Sequence, residues 1–300
     1  MPSIREIRQR IRADKNIAKI TQAMQMVASS RMRRAQQRVE QARPYAEQLR
    51  ELVSRLANVS GDDLGDELAL LKTRPVRNIG IILVSPDRGL SGALPSNVNR
   101  YAIQLAQQQV NRLAEEGGSP GLEFVGVGRK GRDFLIRTEQ NLIAEFTNYG
   151  DYPSLSDAAA IARVATDAFL KGEVDVVYLV YTKFISVVSQ KPESIQLLPV
   201  QPPTAQEQQD ERSSEKTDYI YEPSPREIFK ALLPRYVDVL VYQALLESVS
   251  SQLSAQMVAM KNATDNANDL IQDLTLLYNK ARQAAITTQI LEVVAGAEAI

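Results

Sequence analysis

The chain of 300 residues contains no cysteine, no histidine and no tryptophan. Without cysteine it cannot form a disulfide, a thiolate nucleophile or a cysteine-ligated metal site. Without histidine it also lacks the usual general base near neutral pH. The composition therefore excludes catalytic triads, zinc sites of the common kind and thiol switches, and we expect no catalytic residue, metal or cofactor in this chain.

Long apolar runs are also missing, because no stretch of about 18 apolar residues occurs anywhere in the sequence. The first residues are charged and periodic, unlike the apolar core of a signal peptide. We therefore expect a cytoplasmic protein that does not span a membrane. The net charge is only −1, but the first fifty residues hold twelve basic side chains against four acidic ones, an excess of +8.

What the sequence does contain is a series of mostly apolar positions near each end, spaced alternately by three and four residues. The first series comprises Ile4, Ile7, Ile11, Asp14, Ala18, Thr21, Gln25, Ala28, Met32, Ala35, Val39, Ala42, Ala46, Leu49, Val53 and Leu56. The second comprises Val239, Tyr242, Leu246, Val249, Leu253, Gln256, Met260, Ala263, Ala267, Leu270, Leu274, Leu277, Ala281, Ala284, Thr288, Leu291 and Ala295. This period places a narrow apolar strip along one side of a helix, which is buried only against another such strip. The pattern predicts two long terminal helices that form an antiparallel coiled coil.

The boundaries of these two helices follow from local signals. Ser3 is a good N-cap with Glu6 as its capping-box partner, and the first helix is predicted to end near Val59. Pro44 predicts a bend inside it. The second helix has no Gly or Pro over residues 235–295, and we expect one end of it to extend beyond the first.

Between the helices the pattern changes to alternating strands and helices. Strands are predicted at 79–84, 122–127, 142–147 and 174–181, and helices at 97–116, 133–139 and 156–170, the last capped by Ser156. A hairpin from 184–188 to 195–200 is predicted around Lys191 and Pro192, and the polar stretch 201–216 is predicted to be a mobile loop. We therefore expect a Rossmann-like α/β insert with a mainly parallel sheet at residues 75–224, and a shaft made of residues 1–60 plus 225–300.

One motif in the insert is typical of nucleotide-binding enzymes. Gly126, Gly128 and Gly131 match the G-x-G-x-x-G pattern between a predicted strand and a predicted helix, and Asp151 follows about twenty residues later. This supports an alternative function, a nucleotide-binding α/β enzyme with a coiled-coil dimerisation arm. A tight strand-to-helix turn is the other interpretation of these three glycines. A second glycine-containing turn, at residues 85–92, lacks the Lys-Ser/Thr ending of a P-loop.

A basic face of the first helix, densest at Arg31, Arg33 and Arg34, is a second candidate site. No aromatic residue lies between these arginines to stack on bases, so we expect no nucleic-acid partner. Acidic protein loops and lipid head groups remain candidate partners of this face. A face that contacts only solvent is the other interpretation.

Four segments together resemble the gamma subunit of rotary F-type ATP synthases. They are Ile4–Ile11, Asn16–Val27 and Asp87–Gly92 (Asp-Arg-Gly-Leu-Ser-Gly), together with Met260–Ala267 and its continuation through 274–287 to 296–299. The order of helix, α/β insert and helix is also similar, so the resemblance covers the whole chain.

The resemblance implies the central rotary stalk of the proton-translocating ATP synthase, a non-catalytic subunit. Such a stalk couples rotation of the membrane ring to sequential affinity changes at three catalytic beta-subunit sites. The implied partners are three alpha and three beta subunits, the epsilon subunit and the membrane c-subunit ring, at the cytoplasmic side of a bacterial membrane. The implied partner contacts are Arg282, Gln283 and Thr287 at an acidic catch loop of a beta subunit, Met24 near another acidic beta segment, and Arg31, Arg33 and Arg34 on the shaft. A structural tether with an inert insert is a third candidate.

Overall fold

A computed structural model of the chain describes residues 3–60, 68–115, 118, 120–201, 222 and 224–298. All of the predicted loop 201–216 except Gln201 lies outside these residues. The chain divides into two compact units, one formed by Met1–Ser30 with Gln256–Ile300 and the other by Arg31–Ala255.

The helices and strands alternate as the sequence predicts, with a long helix at each end. Their order is α1 (Ile4–Ser60), β1 (Asn78–Val84), α2 (Leu94–Glu115), β2 (Gly121–Val127), α3 (Arg129–Arg137), β3 (Leu142–Phe146), α4 (Leu155–Lys171), β4 (Val176–Phe184), β5 (Gln190–Leu198) and α5 (Pro225–Glu298).

The second unit contains a five-stranded sheet in the order β3-β2-β1-β4-β5, in which only β5 is antiparallel to its neighbour. The predicted mainly parallel α/β insert is therefore confirmed. Because side chains alternate along a strand, β1 contributes to both faces of the sheet. Ile79, Ile81 and Leu83 pack with α2 and α3, whereas Ile82 and Val84 pack with α4 and with parts of α1 and α5.

The predicted hairpin is wrong in its position. The strands of the hairpin are β4 and β5, and the turn between them occupies residues 185–189. Lys191 and Pro192 lie within β5, opposite Lys183 and Thr182. Proline is compatible with this place because β5 is an edge strand, where a missing backbone donor leaves no gap between two neighbouring strands.

The predicted cap of α4 is also wrong, by two residues. Ser154 precedes the helix, its hydroxyl accepts a hydrogen bond from the Asp157 backbone N–H at 3.3 Å, and the Asp157 carboxylate accepts one from the Ser154 backbone N–H at 2.8 Å. This reciprocal capping box satisfies two backbone donors. Ser156, the predicted cap, lies in the first turn of the helix.

Helix α5 packs against the β4–β5 hairpin through buried serines. The Ser248 hydroxyl accepts a hydrogen bond from the Thr182 N–H, and the Ser251 hydroxyl donates one to the Thr182 carbonyl at 3.0 Å. The Ser254 hydroxyl donates to the Val187 carbonyl in the turn at 3.1 Å. These small polar side chains let the helix approach the backbone of the hairpin while its buried polar groups stay hydrogen-bonded.

On the same helix, Glu247 is a partly buried carboxyl group beside the hairpin. Its Oε2 atom is buried and has no hydrogen-bond partner among the described residues. Burial raises the pKa of Glu247, and the charge of Glu193 raises it further. Lys183, a hydrogen bond from the Phe184 N–H and Arg43 oppose this shift. Lys183 forms its ion pair with Glu193 at 3.0 Å, so it is not committed to Glu247.

In the first unit, α1 and α5 run antiparallel and contact each other. The Thr21 and Thr264 hydroxyls are 2.6 Å apart, and the Arg8 guanidinium donates a hydrogen bond to the Tyr278 hydroxyl at 2.8 Å. Every predicted strip position of α1 from Ile4 to Ala28 is buried or half-buried. The strip of α1 therefore faces its partner helix in this unit.

The strip on α5 differs from the prediction in its C-terminal half. Leu270 and Leu277, which were predicted to be inside, are 53% and 42% exposed. From Met260 onward, the buried and half-buried positions on this helix are Met260, Ala263, Thr264, Ala267, Ile271, Leu274, Tyr278, Ala281 and Ala285. Both series contain Ala267, Leu274 and Ala281, and they differ only in the order of the steps of three and four. Tyr278 suits the inner position because its ring is half-buried while its hydroxyl bonds Arg8.

Ala284 is exposed because of the same shift in register, and the last predicted strip residues of α5, Thr288, Leu291 and Ala295, are exposed beyond Ala285. The pairing of Arg8 with Tyr278 explains this, because α1 begins only four residues before Arg8. As expected from the sequence, α5 extends further than α1 does.

The register of the helix pair is tested by two substitutions. Ile7→Ala removes a side chain that is 1% exposed, and we expect a loss of roughly 2–5 kcal/mol in the free energy of unfolding. Leu270→Ala, the control, should change it by about 0.5 kcal/mol or less because Leu270 lies outside. Urea denaturation followed by circular dichroism measures both. A larger loss for Leu270→Ala than for Ile7→Ala would contradict the observed register.

A second prediction concerns pH and Glu247. Its pKa is raised above the ordinary 4.5 in the folded chain, so the folded state holds the proton more tightly than the unfolded state. The free energy of unfolding should therefore fall as pH rises from that value through the raised pKa. In Glu247→Gln this fall should be smaller, whereas in the exposed control Glu40→Gln it should persist. Urea denaturation at a series of pH values decides, and equal pH dependence in wild type and Glu247→Gln would refute the assignment.

Candidate functional site

The glycine-rich turn after β2 is filled by protein. Gly128 has a φ of 90°, and a Cβ atom there would lie 1.8 Å from the Ser85 carbonyl oxygen. At Gly131 a Cβ atom would lie 2.9 Å from the Cβ of Ser85. In dinucleotide sites such glycines leave room for a pyrophosphate. Here they leave room for the loop that follows β1, so the geometry favours the tight-turn interpretation.

The first amides of α3, where a phosphate would bind, are also occupied. The Arg129 N–H donates a hydrogen bond to the Asp87 carboxylate at 3.0 Å, and the Lys130 N–H donates one to the Pro86 carbonyl at 3.0 Å. A carboxylate at this end of a helix is stabilised by the unpaired donors and by the helix dipole. Asp87, within the segment that resembles the ATP synthase turn, therefore joins the loop after β1 to α3.

Asp151, the acidic residue that a bound ribose would need, is engaged elsewhere. Its Oδ2 atom lies 2.5 Å from Nη1 of Arg31, and its side chain is only 16% exposed. The three glycines and Asp151 thus have structural partners within the chain. Within the described ranges no three acidic side chains come together as a metal site.

The basic face of α1 is divided between inward and outward side chains. Arg31 pairs with Asp151, and seven residues later the Arg38 guanidinium lies 4.4 Å from the centroid of the Tyr152 ring. Arg33 and Arg34 are exposed. Of the three predicted shaft contacts, two therefore present their charge to solvent and one is committed to the α/β insert.

The predicted catch residues Arg282, Gln283 and Thr287 are all exposed near the end of the described part of α5. The Thr287 hydroxyl donates to the Gln283 carbonyl four residues earlier at 3.0 Å. This bond uses the backbone of Gln283 and leaves its side-chain amide exposed. The three side chains form one polar group on a helix that has passed the end of its partner.

Met24 does not belong to this polar group. It is half-buried on α1, three residues after Thr21, which contacts Thr264. Arg282 follows Thr264 by eighteen residues, or roughly 27 Å along a helix. The first unit therefore presents two separate candidate contact regions.

The end of α5 also exposes large apolar side chains. Ile290, Leu291 and Val293 are 58%, 62% and 73% exposed. Exposed apolar clusters of this size mark surfaces that contact another protein or a membrane. Within the described residues no helix is both long and apolar enough to cross a bilayer.

Comparison with known proteins gives one consistent result. A family model described as ATP synthase matches residues 3–300. The chain is 47% identical over 302 residues to the ATP synthase gamma chain of Roseiflexus castenholzii, covering 100% of this chain and 99% of the relative. It is 47% identical over 300 residues to the ATP synthase gamma chain of Acidithiobacillus ferrooxidans, covering 100% of both.

Two solved structures are similar to this chain. The first is from the central stalk and c-ring of Tetrahymena thermophila mitochondrial ATP synthase, with a TM-score of 0.56 and 26% identity over 81% of this chain and 99% of that one. The second is from the Euglena gracilis mitochondrial ATP synthase, with a TM-score of 0.67 over 99% of this chain and 94% of that one. The second is only 18% identical and supports the fold alone.

The role of Asp87 is tested by Asp87→Ala. The substitution removes the acceptor for the Arg129 N–H, and loss of such a helix cap should lower the free energy of unfolding by roughly 0.5–2 kcal/mol. The matched control is Asp133→Ala on α3, whose exposed carboxylate pairs with neighbouring Arg132 and should contribute little. Thermal denaturation of both variants provides the measurement. Equal stability of the two would show that the carboxylate does not hold this turn.

Proposed function

The chain belongs to the ATP synthase gamma family, whose members are non-catalytic subunits of that complex, and from this premise we propose how its parts work as the central rotary stalk. The observation that carries the proposal is similarity to gamma chains along the whole length, combined with two terminal helices that contact each other. Its partners are three alpha and three beta subunits, the epsilon subunit and the c-subunit ring. Catalysis belongs to those partners, in keeping with a sequence that lacks histidine and cysteine.

We propose that residues 1–60 and 225–300 form an antiparallel coiled-coil shaft. The apolar strips repeat at the heptad spacing that such coils require. The Thr21–Thr264 and Arg8–Tyr278 contacts support the antiparallel direction. The α/β insert at 75–224 then forms the foot that meets the membrane ring, and rotation of the ring turns the shaft.

The stalk acts by pressing unequally on three identical sites. A single shaft presents a different side to each beta subunit, so each rotation step exchanges the affinities of the three sites. Changing one site from mostly open to mostly closed requires about 5.5 kcal/mol of differential contact free energy. A coupling of this kind exists only because the contacts differ between the states.

Arg282, Gln283 and Thr287 are the residues that we propose contact an acidic catch loop of a beta subunit. Their exposure on α5 leaves these side chains available for a partner. A hydrogen bond from a charged group contributes about 1.5–3 kcal/mol. Two or three such bonds are therefore enough to supply the differential free energy.

We propose that Met24, a flexible apolar side chain that is half-buried on α1, lies near another acidic beta segment. Arg33 and Arg34 are exposed and form a separate proposed contact on the shaft. Arg31 belongs to the same basic segment, but its ion pair with Asp151 reduces what it can offer to another subunit.

We place the chain on the cytoplasmic side of a bacterial membrane, where it is a peripheral subunit. The two gamma chains compared above are bacterial, and the foot must reach the membrane ring while the shaft enters the ring of alpha and beta subunits.

A nucleotide-binding enzyme is disfavoured because the loop after β1 fills the space next to Gly128 and Gly131. Mixing the chain with alpha and beta subunits distinguishes the stalk from an inert tether, which would not associate with them.

The catch is tested by Arg282→Ala in the reconstituted complex. Loss of a charge-assisted bond of about 1.5–3 kcal/mol should lower ATP turnover roughly ten- to hundredfold if the bond forms in the rate-limiting step. The control Lys280→Ala removes one positive charge from another side of the same helix and should have little effect. Helix content by circular dichroism should be unchanged in both. Normal turnover of Arg282→Ala in an assembled complex would contradict the proposed catch.

A further inference from the structure

The loop between β3 and α4 is fixed at both of its ends. The Tyr149 hydroxyl donates a hydrogen bond to the Ser85 carbonyl at the end of β1, at 2.8 Å. Asn148 and Gly150 on either side have φ angles of 66° and 68°, a left-handed conformation that Asn and Gly tolerate best. At its other end the loop continues into the capping box of Ser154. Asp151 and Tyr152, which lie between these fixed points, therefore have little freedom to move.

Burial keeps the Tyr149 phenol protonated at pH values where an exposed phenol would ionise. Desolvation raises the pKa of Tyr149, and the nearby charge of Asp87 raises it further. The phenol therefore stays protonated and remains a hydrogen-bond donor to Ser85. Because Asp87 also holds the first turn of α3, the loop is connected to the same rigid edge of the sheet.

Asp151 and Tyr152 both face α1 and each contacts one arginine. Asp151 pairs with Arg31 at 2.5 Å, and the Tyr152 ring lies 4.4 Å from the Arg38 guanidinium carbon. Arg31 and Arg38 are seven residues apart, or about 10 Å along the same side of the helix. Two adjacent loop residues thus hold two turns of α1.

The position of these contacts along α1 is informative. Further along the helix, Leu49, Val53 and Leu56 belong to the main core of the second unit, whereas Arg31 is the first residue of α1 in that unit. Close packing of these side chains opposes rotation of α1 about its axis further along the helix. An ion pair and a ring contact on one side of the helix are directional, so they oppose such a rotation where α1 leaves the unit.

We propose that the loop at residues 147–154 is a torsional brace, in which Asp151 and Tyr152 hold Arg31 and Arg38 so that rotation of the α/β insert is transmitted to α1. The brace rests on the proposed function as a rotary stalk, because only a rotating shaft carries a torsional load. In the brace Asp151 has a mechanical role, in place of the contact with a bound ribose that the dinucleotide interpretation assigned to it.

The first test measures whether the contacts hold the loop. The full-length double variant Asp151→Asn with Tyr152→Leu removes the ion pair and the ring while leaving Tyr149 and Ser154 in place. Together, a partly exposed ion pair and a cation–π contact should lower the equilibrium constant for opening of the loop by about tenfold. Hydrogen exchange of the loop amides should therefore become about tenfold faster. The control is Glu40→Gln, which changes an exposed acidic residue of α1 outside the brace. In this variant the loop amides should exchange at the wild-type rate. Unchanged exchange in the double variant overturns the proposal.

The second test uses the complete ATP synthase reconstituted into vesicles, with ATP hydrolysis and proton pumping measured together. For the double variant we expect hydrolysis close to that of Glu40→Gln and a loss in protons pumped per ATP hydrolysed. Exchanging the charges, Arg31→Asp with Asp151→Arg, should restore more pumping than either single change. An unaltered pumping ratio in the double variant overturns the brace even if its loop exchanges faster. Failure of the stalk assignment is separate, because it appears as a chain that does not associate with alpha and beta subunits.

Discussion

The burial of one narrow strip of α1 is the constraint on which the rest of this structure depends. A strip of mostly small apolar residues cannot be shielded by the helix that carries it, so α1 needs a long partner surface along its whole length. In the first unit this surface is α5, and in the second unit the same strip continues into the core through Leu49, Val53 and Leu56. The two terminal helices must therefore run side by side in the first unit, as the Thr21–Thr264 and Arg8–Tyr278 contacts require.

The glycine-rich turn illustrates how one motif can serve two chemistries. Glycine is required at position 128 because the loop after β1 approaches within contact distance, and the helix N-terminus that could hold a phosphate holds Asp87. In this mainly parallel α/β sheet the helix N-terminus after β2 is thus occupied by a side chain of the same protein. The same edge of the sheet also anchors Tyr149 and, through its loop, the pairs that hold α1. Rigidity at this edge is useful if the insert must transmit rotation.

Much of the fold could be predicted from the sequence because its signals are local or periodic. Short apolar runs located the first four strands, and the heptad spacing located both long helices. The register of α5 after Ala267 could not be predicted, since Leu270 and Ile271 are both apolar and either continues a series of three- and four-residue steps. Only the partner helix chooses between them, through contacts such as Arg8 with Tyr278. The same limit applies to the candidate sites. Exposure of Arg282 and Gln283 follows from helix geometry, whereas the pairing of Arg31 with Asp151 joins residues 120 positions apart and leaves no local signal.

The most direct test of the central claim is a distance between the two ends of the chain inside the assembled complex. Because the protein has no cysteine, spin labels can be attached to the double variant Gln22→Cys with Asp265→Cys without removing any native thiol. Paired antiparallel helices have axes 8–10 Å apart, so the labels should be roughly 10–25 Å apart. A pair of labels at positions 22 and 291 should be about 40 Å apart or more, because 26 residues of helix separate positions 265 and 291. A long distance for the first pair, or similar distances for both, would contradict the account.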